Sequence, residues 1–415
     1  MWKQIGKAQW LREGDRNTPL FHARASARRR KNSITRLRDG DGERCNSKEG
    51  IQHIISTYFQ DIFWSTNPSE KVIAEALGGM TARVSDDMNE ALIKPFSPEE
   101  VKHAIFQMYP YKSPDPDGLS PGRLITDNVL VDFEVNHYLE HKTHGSFGQA
   151  ALKLDLSKAY DRVKWIFLER VMFHLGFHPH FISLILMCVS TVFYSLMLDG
   201  HKFDRSHPKR GIRQGDPLSL YLFLFCAEVL SHLLVMAESQ GELRGVAISR
   251  QGPRVSHLLF AADTLIFCQA TEEAMTCVGW VLKDFEAASE MVVNLDKSEI
   301  SFSSNTPGHF QEELARILGV RVVEKHVKYL GLPALVGQSK KEIFQSLKDR
   351  IWKRLQSWRC KNLSQGSKAM LLLYVVQAMP TYIMGCFLIP ISICREIEGL
   401  MADFLWHNKE VRRVH

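Results

Sequence analysis

The sequence predicts an α/β protein that ends in a helical region. Strand-like alternation and helix-like periodicity follow one another between residues of about 125 and 305, and beyond that only the helical period remains. At 415 residues, 45% apolar and 24% charged, the chain has an ordinary globular composition and mass enough for roughly two or three domains. Disorder or a fibrous repeat as the whole answer is excluded.

Taken in order, the turn Arg38-Asp39-Gly40-Asp41-Gly42 precedes an amphipathic helix carried by Ile51, Ile54, Ile55, Tyr58 and Phe59. Ser97-Pro98-Glu99-Glu100 is a helix start: Ser97 caps, Pro98 takes the first helical position, and Glu100 completes a capping box. That helix stops at Tyr109-Pro110, and the stretch from Lys112 to Gly118 is too rich in proline to continue it. Helical text resumes from 127 to 140. Ala151-Leu152-Lys153-Leu154-Asp155-Leu156 then alternates, with Leu152, Leu154 and Leu156 on one face and Lys153 and Asp155 on the other. This is a half-buried strand with an acid near its end.

Trp165, Leu168, Val171, Met172 and Leu175 restore the helical period up to Gly176, a natural C-cap. The turn Gln214-Gly215-Asp216-Pro217 opens a helix from about 218 to 238. Two short strands, 255 to 260 and 265 to 269, are expected to meet at Ala261-Ala262-Asp263-Thr264. Near the C-terminus Phe344, Leu347, Ile351, Leu355 and Trp358 form one apolar helix face.

The formal charge of +6 is uneven: residues 1 to 50 hold 13 Lys+Arg against 6 Asp+Glu, leaving 39 against 40 for the rest. Arg24, Arg28, Arg29, Arg30, Lys31, Arg36 and Arg38 are its centre, a density that attracts a polyphosphate backbone or serves as a solvated face or import signal. Eight cysteines without a C-x-x-C pair or histidines at zinc spacing point to reduced thiols, an intracellular home and no structural zinc. No apolar stretch follows Lys3 and Lys7, so no secretory signal is expected. The uncharged runs 181 to 198 and 369 to 394 are interrupted by hydroxyl residues, glycine or proline and are expected to be core helices, not membrane spans.

Three motifs carry a resemblance. Lys153-Leu154-Asp155-Leu156-Ser157-Lys158-Ala159-Tyr160-Asp161-Arg162-Val163, then Arg210-Gly211-Ile212-Arg213-Gln214-Gly215-Asp216-Pro217-Leu218-Ser219, then His257-Leu258-Leu259-Phe260-Ala261-Ala262-Asp263 resemble, in order and spacing, the reverse transcriptase of plant non-LTR (LINE-type) retrotransposons. Asn294-Leu295-Asp296-Lys297-Ser298 and Lys328-Tyr329-Leu330-Gly331-Leu332-Pro333 resemble the two palm motifs that follow, and the stretch from Trp10 to Thr18 resembles the segment ahead of the family's polymerase.

The resemblance implies a right-hand polymerase: a palm with a small antiparallel sheet and helices (129–305), preceded by a basic N-terminal segment (1–92) and truncated fingers (93–128), and followed by a helical thumb (306–415). It implies RNA-directed DNA polymerisation with two Mg2+ ions, with RNA template, RNA/DNA duplex and dNTPs as partners, no membrane, and a nuclear or cytoplasmic location. Carried over, Asp155 and Asp263 are the metal-binding and catalytic carboxylates. Tyr160 packs under the incoming sugar, Arg213, Gln214 and Gly215 lie against template and nucleotide, and Lys297 stands near the leaving pyrophosphate. Arg28, Arg29, Arg30 and Lys31, with Lys353 and Arg354 on the thumb helix that also carries Trp352 and Trp358, face the nucleic-acid backbone; an amphipathic helix with core aromatics is the other reading of that thumb.

Two departures stand out. The family's hairpin tip reads Phe-Ala-Asp-Asp and its first Asp holds metal, whereas this chain has Ala262 there. Between Gly118 and Pro121 the family's finger strands, with the residues that grip the triphosphate, are missing; an internal deletion in a decayed element and a gene model that skipped sequence explain this equally well. The expected protein is therefore a reverse transcriptase-like chain with impaired synthesis, the alternative being a non-catalytic nucleic-acid-binding remnant.

Replacing Arg28, Arg29, Arg30 and Lys31 with Ala is expected to flatten the salt dependence of binding to RNA/DNA duplex, because each lost phosphate contact removes about 0.9 from the slope of log K against log salt. An unchanged slope would remove this segment from the interface.

Overall fold

The structure, a computed structural model, describes residues 26, 30, 32–65, 69–107, 125–249, 252–324, 329–332, 340–359 and 363–406. The segment 10–18, the proline-rich stretch 112–118, the 118–121 junction, Arg28, Arg29, Lys31, Lys328 and Pro333 lie outside the described residues. The described strands, in chain order, are β1 (Leu37–Arg38), β2 (Arg44–Cys45), β3 (Gln149–Ser157), β4 (Tyr194–Leu198), β5 (His201–Ser206), β6 (His257–Phe260), β7 (Asp263–Gln269), β8 (Val292–Val293), β9 (Glu299–Phe302) and β10 (Arg321–Val322). These residues form two compact units, each built from separate stretches of chain.

The first unit takes the described residues within Met1–Ser69, Thr81–Pro95 and Tyr160–Gln214. Its expected amphipathic helix is Lys48–Phe63, started by Ser47, whose side chain accepts from the Gly50 amide. Ile51, Ile62 and Phe63 are its buried residues, and Phe63 stacks on Tyr194 of β4 with ring centroids 5.0 Å apart. β4 and β5 form an antiparallel hairpin with an irregularity at Leu196/Met197. The helix Trp165–His174 ends as expected at Gly176, whose φ of +92° is the left-handed conformation that glycine adopts without strain. The uncharged run 181 to 198 is divided between the helix Pro179–Ser190 and β4.

The second unit takes the described residues within Glu70–Met80, Phe96–Ala159 and Gly215–His415. Here Ser97 and Glu100 close the capping box reciprocally: the Ser97 amide donates to Glu100 Oε2 at 2.8 Å and the Glu100 amide to Ser97 Oγ at 3.2 Å, at the head of the helix Pro98–Gln107. The Ser97 amide, and after it the Ser97 side chain, hold the Glu100 carboxyl below its ordinary pKa.

The centre of this unit is a six-stranded sheet in the order β10-β9-β3-β7-β6, with β8 pairing the end of β3. All pairings are antiparallel except β10 with β9. In β3, Leu152, Leu154 and Leu156 are buried while Lys153 and Asp155 are half-buried, the alternation expected from the leucine spacing. On the Asp155 face, Ala151, Leu258, Leu265 and Phe267 pack with Val135 and Leu139 of the helix Ile125–His141 and with Tyr329.

The hairpin between β6 and β7 is tighter than its sequence indicates. Only Ala261 and Ala262 form the turn, with Ala261 at φ +48°, so Phe260 pairs directly with Asp263. Asp263 and Thr264, expected in the turn, are the first residues of β7, because the two-residue turn lets the buried Thr264 and Leu265 continue the alternation of the strand.

The described C-terminal residues are helical apart from connecting turns: Lys340–Arg359, Gln365–Leu371, a π-helical segment Leu372–Val376, Thr381–Cys386 and Ile391–Trp406. Phe344, Leu347, Ile351, Leu355 and Trp358 are all buried in one cluster with Val129, Val376, Ile383, Ile397 and Phe404. Among the described residues two helical stretches, Pro217–Ser239 and Gln365–Cys386, are long and apolar enough by length and composition to cross a membrane. The first buries Leu222, Phe223, Cys226, Val229, Leu230 and Leu234 inside the protein. Leu347 has no exposed surface, so Leu347→Ala is expected to cost about 2–5 kcal/mol in urea unfolding. The exposed Lys353→Ala on the same helix should stay within about 0.5 kcal/mol.

Candidate functional site

Antiparallel register brings two acids together. Asp155 of β3 is the direct partner of Asp263 of β7, and residues directly opposite in such a pair share a face with their Cβ atoms about 4.5–5.5 Å apart. A third segment closes on the same point. The Asn294 amide donates to Asp155 O at 2.7 Å, and the Asp155 amide donates to Ser298 Oγ at 3.2 Å, while Ser298 donates in turn to Asn294 O at 2.8 Å. This clasp carries Lys297, whose Nζ lies 3.8 Å from Asp155 Oδ2. Both side chains are substantially exposed, so the pair positions charge more than it stabilises the fold.

The rest of the face is charged in a definite pattern. Glu299 of β9 is buried with Arg321 Nη2 2.9 Å and Lys153 Nζ 3.9 Å from its carboxylate. Burial pushes the Asp263 carboxyl above its ordinary pKa; Lys153 opposes the shift and Asp155 adds to it. Tyr329, 2% exposed, has its phenol pKa driven upward chiefly by burial, with Asp132 and Asp263 adding to the shift, and its hydroxyl has no hydrogen-bond partner among the described residues. Ala262, in the turn beside Asp263, supplies no side-chain oxygen.

The structure brings the expected site residues Asp155, Asp263 and Lys297 together, and it adds Glu299, Arg321 and Tyr329, which sequence reasoning missed. Tyr329 sat in a noted motif without a role, and the Glu299–Arg321 pair depends on the parallel β9–β10 contact, which no local pattern announces.

The donor set at this point is two carboxylates with an ammonium group beside one of them. Mg2+ is commonly held by one or two carboxylates, with waters and phosphates completing its shell, so these residues fit one such ion. They do not fit two ions bridged by shared carboxylates. Among the described residues no group of three or more His, Cys, Asp or Glu comes together as a metal cluster.

Tyr160, Arg213 and Gln214 belong to the first unit. Tyr160 is half-buried, burial raises its phenol pKa, and its carbonyl accepts from the Ile212 amide at 2.8 Å. Gly211 sits between the two motifs: its amide donates to Val163 O at 2.7 Å, Trp165 Nε1 donates to its carbonyl at 2.8 Å, and an added Cβ would meet Asp161 O at 2.7 Å. Arg213 and Gln214 are exposed. Gly215, in the second unit, is exposed at φ +86° just ahead of Asp216, which caps the helix Pro217–Ser239 by accepting from Leu218 N at 2.9 Å.

Of the expected backbone-facing cations, Arg30, Lys353 and Arg354 are exposed. Arg354 lies over the Trp358 ring, 5.7 Å from its centroid, and Trp358 itself is part of the core.

A family model described as reverse transcriptase (RNA-dependent DNA polymerase) matches residues 88–334, well over half of the chain. The chain belongs to the reverse transcriptase family. Its mixed α/β fold is accordingly of the right-hand polymerase kind. This reverse transcriptase chain is 60% identical over 57 residues to an uncharacterized mitochondrial protein of Arabidopsis thaliana, covering 14% of this chain and 47% of that one. It is 25% identical over 302 residues to an uncharacterized 149 kDa protein of transposon TX1 of Xenopus laevis, covering 71% of this chain and 22% of that one. The chain thus spans less than half the length of either relative. It is also similar to the telomerase of Candida tropicalis, solved with a telomeric RNA fragment, at 13% identity and a TM-score of 0.35 over 86% of this chain and 49% of that one.

The raised Asp263 pKa has a signed consequence. A carboxyl whose folded pKa lies above its unfolded value of about 3.9 contributes stability at low pH that is lost as pH rises through the folded pKa. In EDTA, Asp263→Asn is therefore expected to raise Tm relative to the parent at neutral pH, with the difference shrinking as pH falls toward the ordinary carboxylate range. A difference independent of pH would contradict the assignment.

Proposed function

We propose that this chain is the reverse transcriptase domain of a LINE-type, non-LTR retrotransposon, retaining the RNA-template and RNA/DNA-duplex surfaces of the family but synthesising DNA only at background level. The observation that carries the second half of this reading is the donor set: Asp155 faces Asp263, and the neighbouring position that carries a metal-binding acid in the family is Ala262. The similarity to a transposon protein and the motif order support the first half.

In this reading the chain divides into the N-terminal basic segment, fingers remnant, palm and thumb at residues 92, 128 and 305, and its partners include dNTPs in the nucleus or cytoplasm. Asp155 and Asp263 hold a single Mg2+, which when bound supplies positive charge for substrate phosphates. Lys297, tethered to Asp155, offers a further positive charge for a phosphate. Tyr160, Arg213, Gln214 and Gly215 line the template and nucleotide side, and Arg30, Lys353 and Arg354 contact the backbone together with Arg28, Arg29 and Lys31. The second reading, a remnant kept only for nucleic-acid binding, is favoured by the exposed cations of the helix Lys340–Arg359, which need no intact metal site.

Primer extension on an RNA template with Mg2+ separates these readings. The chain as it stands is expected at background, with partial recovery on Ala262→Asp and loss of that recovery on a further Asp155→Ala. No recovery at all favours the binding remnant. Robust dNTP incorporation by the unaltered chain, abolished by Asp155→Ala, would overturn both.

A further inference from the structure

The first unit carries an aromatic and basic surface that none of the family motifs uses. Trp64, directly after the helix Lys48–Phe63, is 59% exposed, and Phe193, directly before β4, is 53% exposed. Their neighbours Phe63 and Tyr194 stack on each other at 5.0 Å with an interplanar angle of 21°, which holds the two exposed rings on adjoining backbone. Each exposed ring has its own cation. Lys209 Nζ lies 4.1 Å from the Trp64 centroid and the Arg205 guanidinium 5.3 Å from that of Phe193, with His207 6.0 Å away on the same ring.

This arrangement is anchored. The Lys209 amide donates to Phe63 O at 3.0 Å, and the buried Arg210 guanidinium donates through Nε to Ile62 O at 2.7 Å, so the segment after β5 is bound to the end of the helix. Two acids of the hairpin bond to the protein: Asp204 accepts from Ser56 at 2.7 Å, and Asp199 accepts from Ser33 Oγ and from the Ile34 amide. Lys202, Arg205 and Lys209, all exposed, outnumber these two acids in the hairpin region.

We propose that this surface binds an unpaired nucleic-acid strand, with two bases stacking on Trp64 and Phe193 and the adjoining phosphates meeting Lys209 and Arg205. Isolated exposed aromatics are ordinary on protein surfaces. Two on adjoining backbone, each with a cation, have the composition of a single-strand platform, in which flat faces take bases of any sequence and cations follow the backbone. A protein partner would be met as readily by rings alone; the paired cations favour a polyanion. The proposal rests on the reading above only in taking nucleic acid as the partner, and it concerns a site in the other unit from Asp155 and Asp263.

The test uses the full chain and labelled 20-nucleotide strands. Trp64→Ala and Phe193→Ala are each expected to weaken binding of single-stranded RNA about tenfold, and of single-stranded DNA equally, since neither ring reads the sugar. Blunt RNA duplex and an abasic strand of equal length should bind as to the parent. Trp64→Phe and Phe193→Tyr, which keep a flat ring, should restore affinity and exclude misfolding as the cause. Lys209→Gln and Arg205→Gln should each reduce the salt slope by about 0.7. Parent-like binding of single strands by both Ala variants, which a protein-docking surface would give, overturns the proposal, as does an equal loss on duplex and abasic strands. Primer-extension activity enters none of these readouts.

Discussion

The register of β3 is the constraint on which the second unit depends. The strand pairs with β7 from Gln149 to Asp155, with β9 from Ala150 to Lys153 and with β8 at Leu156 and Ser157, so it has a neighbour on either side through most of its length. Side chains alternate with a period of two, and a slip by one residue would turn every one of them to the opposite face. Leu152, Leu154 and Leu156 would leave the core and Asp155 would enter it. The register that buries the leucines is the same one that sets Asp155 against Asp263, so the candidate site is a consequence of core packing and needs no separate loop to assemble it.

Charge on that face is balanced locally. Arg321 and Lys153 take up Glu299, Lys297 takes up Asp155, and Asp263 remains as the acid whose ionisation burial opposes. A third carboxylate in the turn would add repulsion that only bound cations relieve. With alanine at position 262 the face is close to neutral without a second divalent ion.

Much of the local structure was legible because its determinants lie close in sequence. The Ser97–Glu100 box, the alternation of β3, the stop at Gly176 and the apolar face from Phe344 to Trp358 all formed as their spacing indicates. What was not legible depends on distant partners. The hairpin extent was set by pairing of Phe260 with Asp263, and the burial of Glu299 by Arg321 on a parallel strand. Aromatics were ambiguous in both directions: Trp358, one candidate for duplex contact, is a core residue, while Trp64 and Phe193 drew no notice because exposure has no local signature. The division into units was hidden for the same reason, since each gathers separate stretches of chain.

The central proposal is that the β3/β7 site has ligands for one divalent ion and not for a coupled pair. Mn2+ electron paramagnetic resonance on the full chain, with primer, RNA template and a dNTP present, tests this directly, because two ions about 3.5–4 Å apart interact magnetically and an isolated ion does not. The account predicts the spectrum of isolated Mn2+, weakened by Asp155→Ala, with a coupled-pair signal arising only when Ala262→Asp is introduced. A coupled pair in the unaltered chain would show that the second ion finds its ligands elsewhere and would contradict the account.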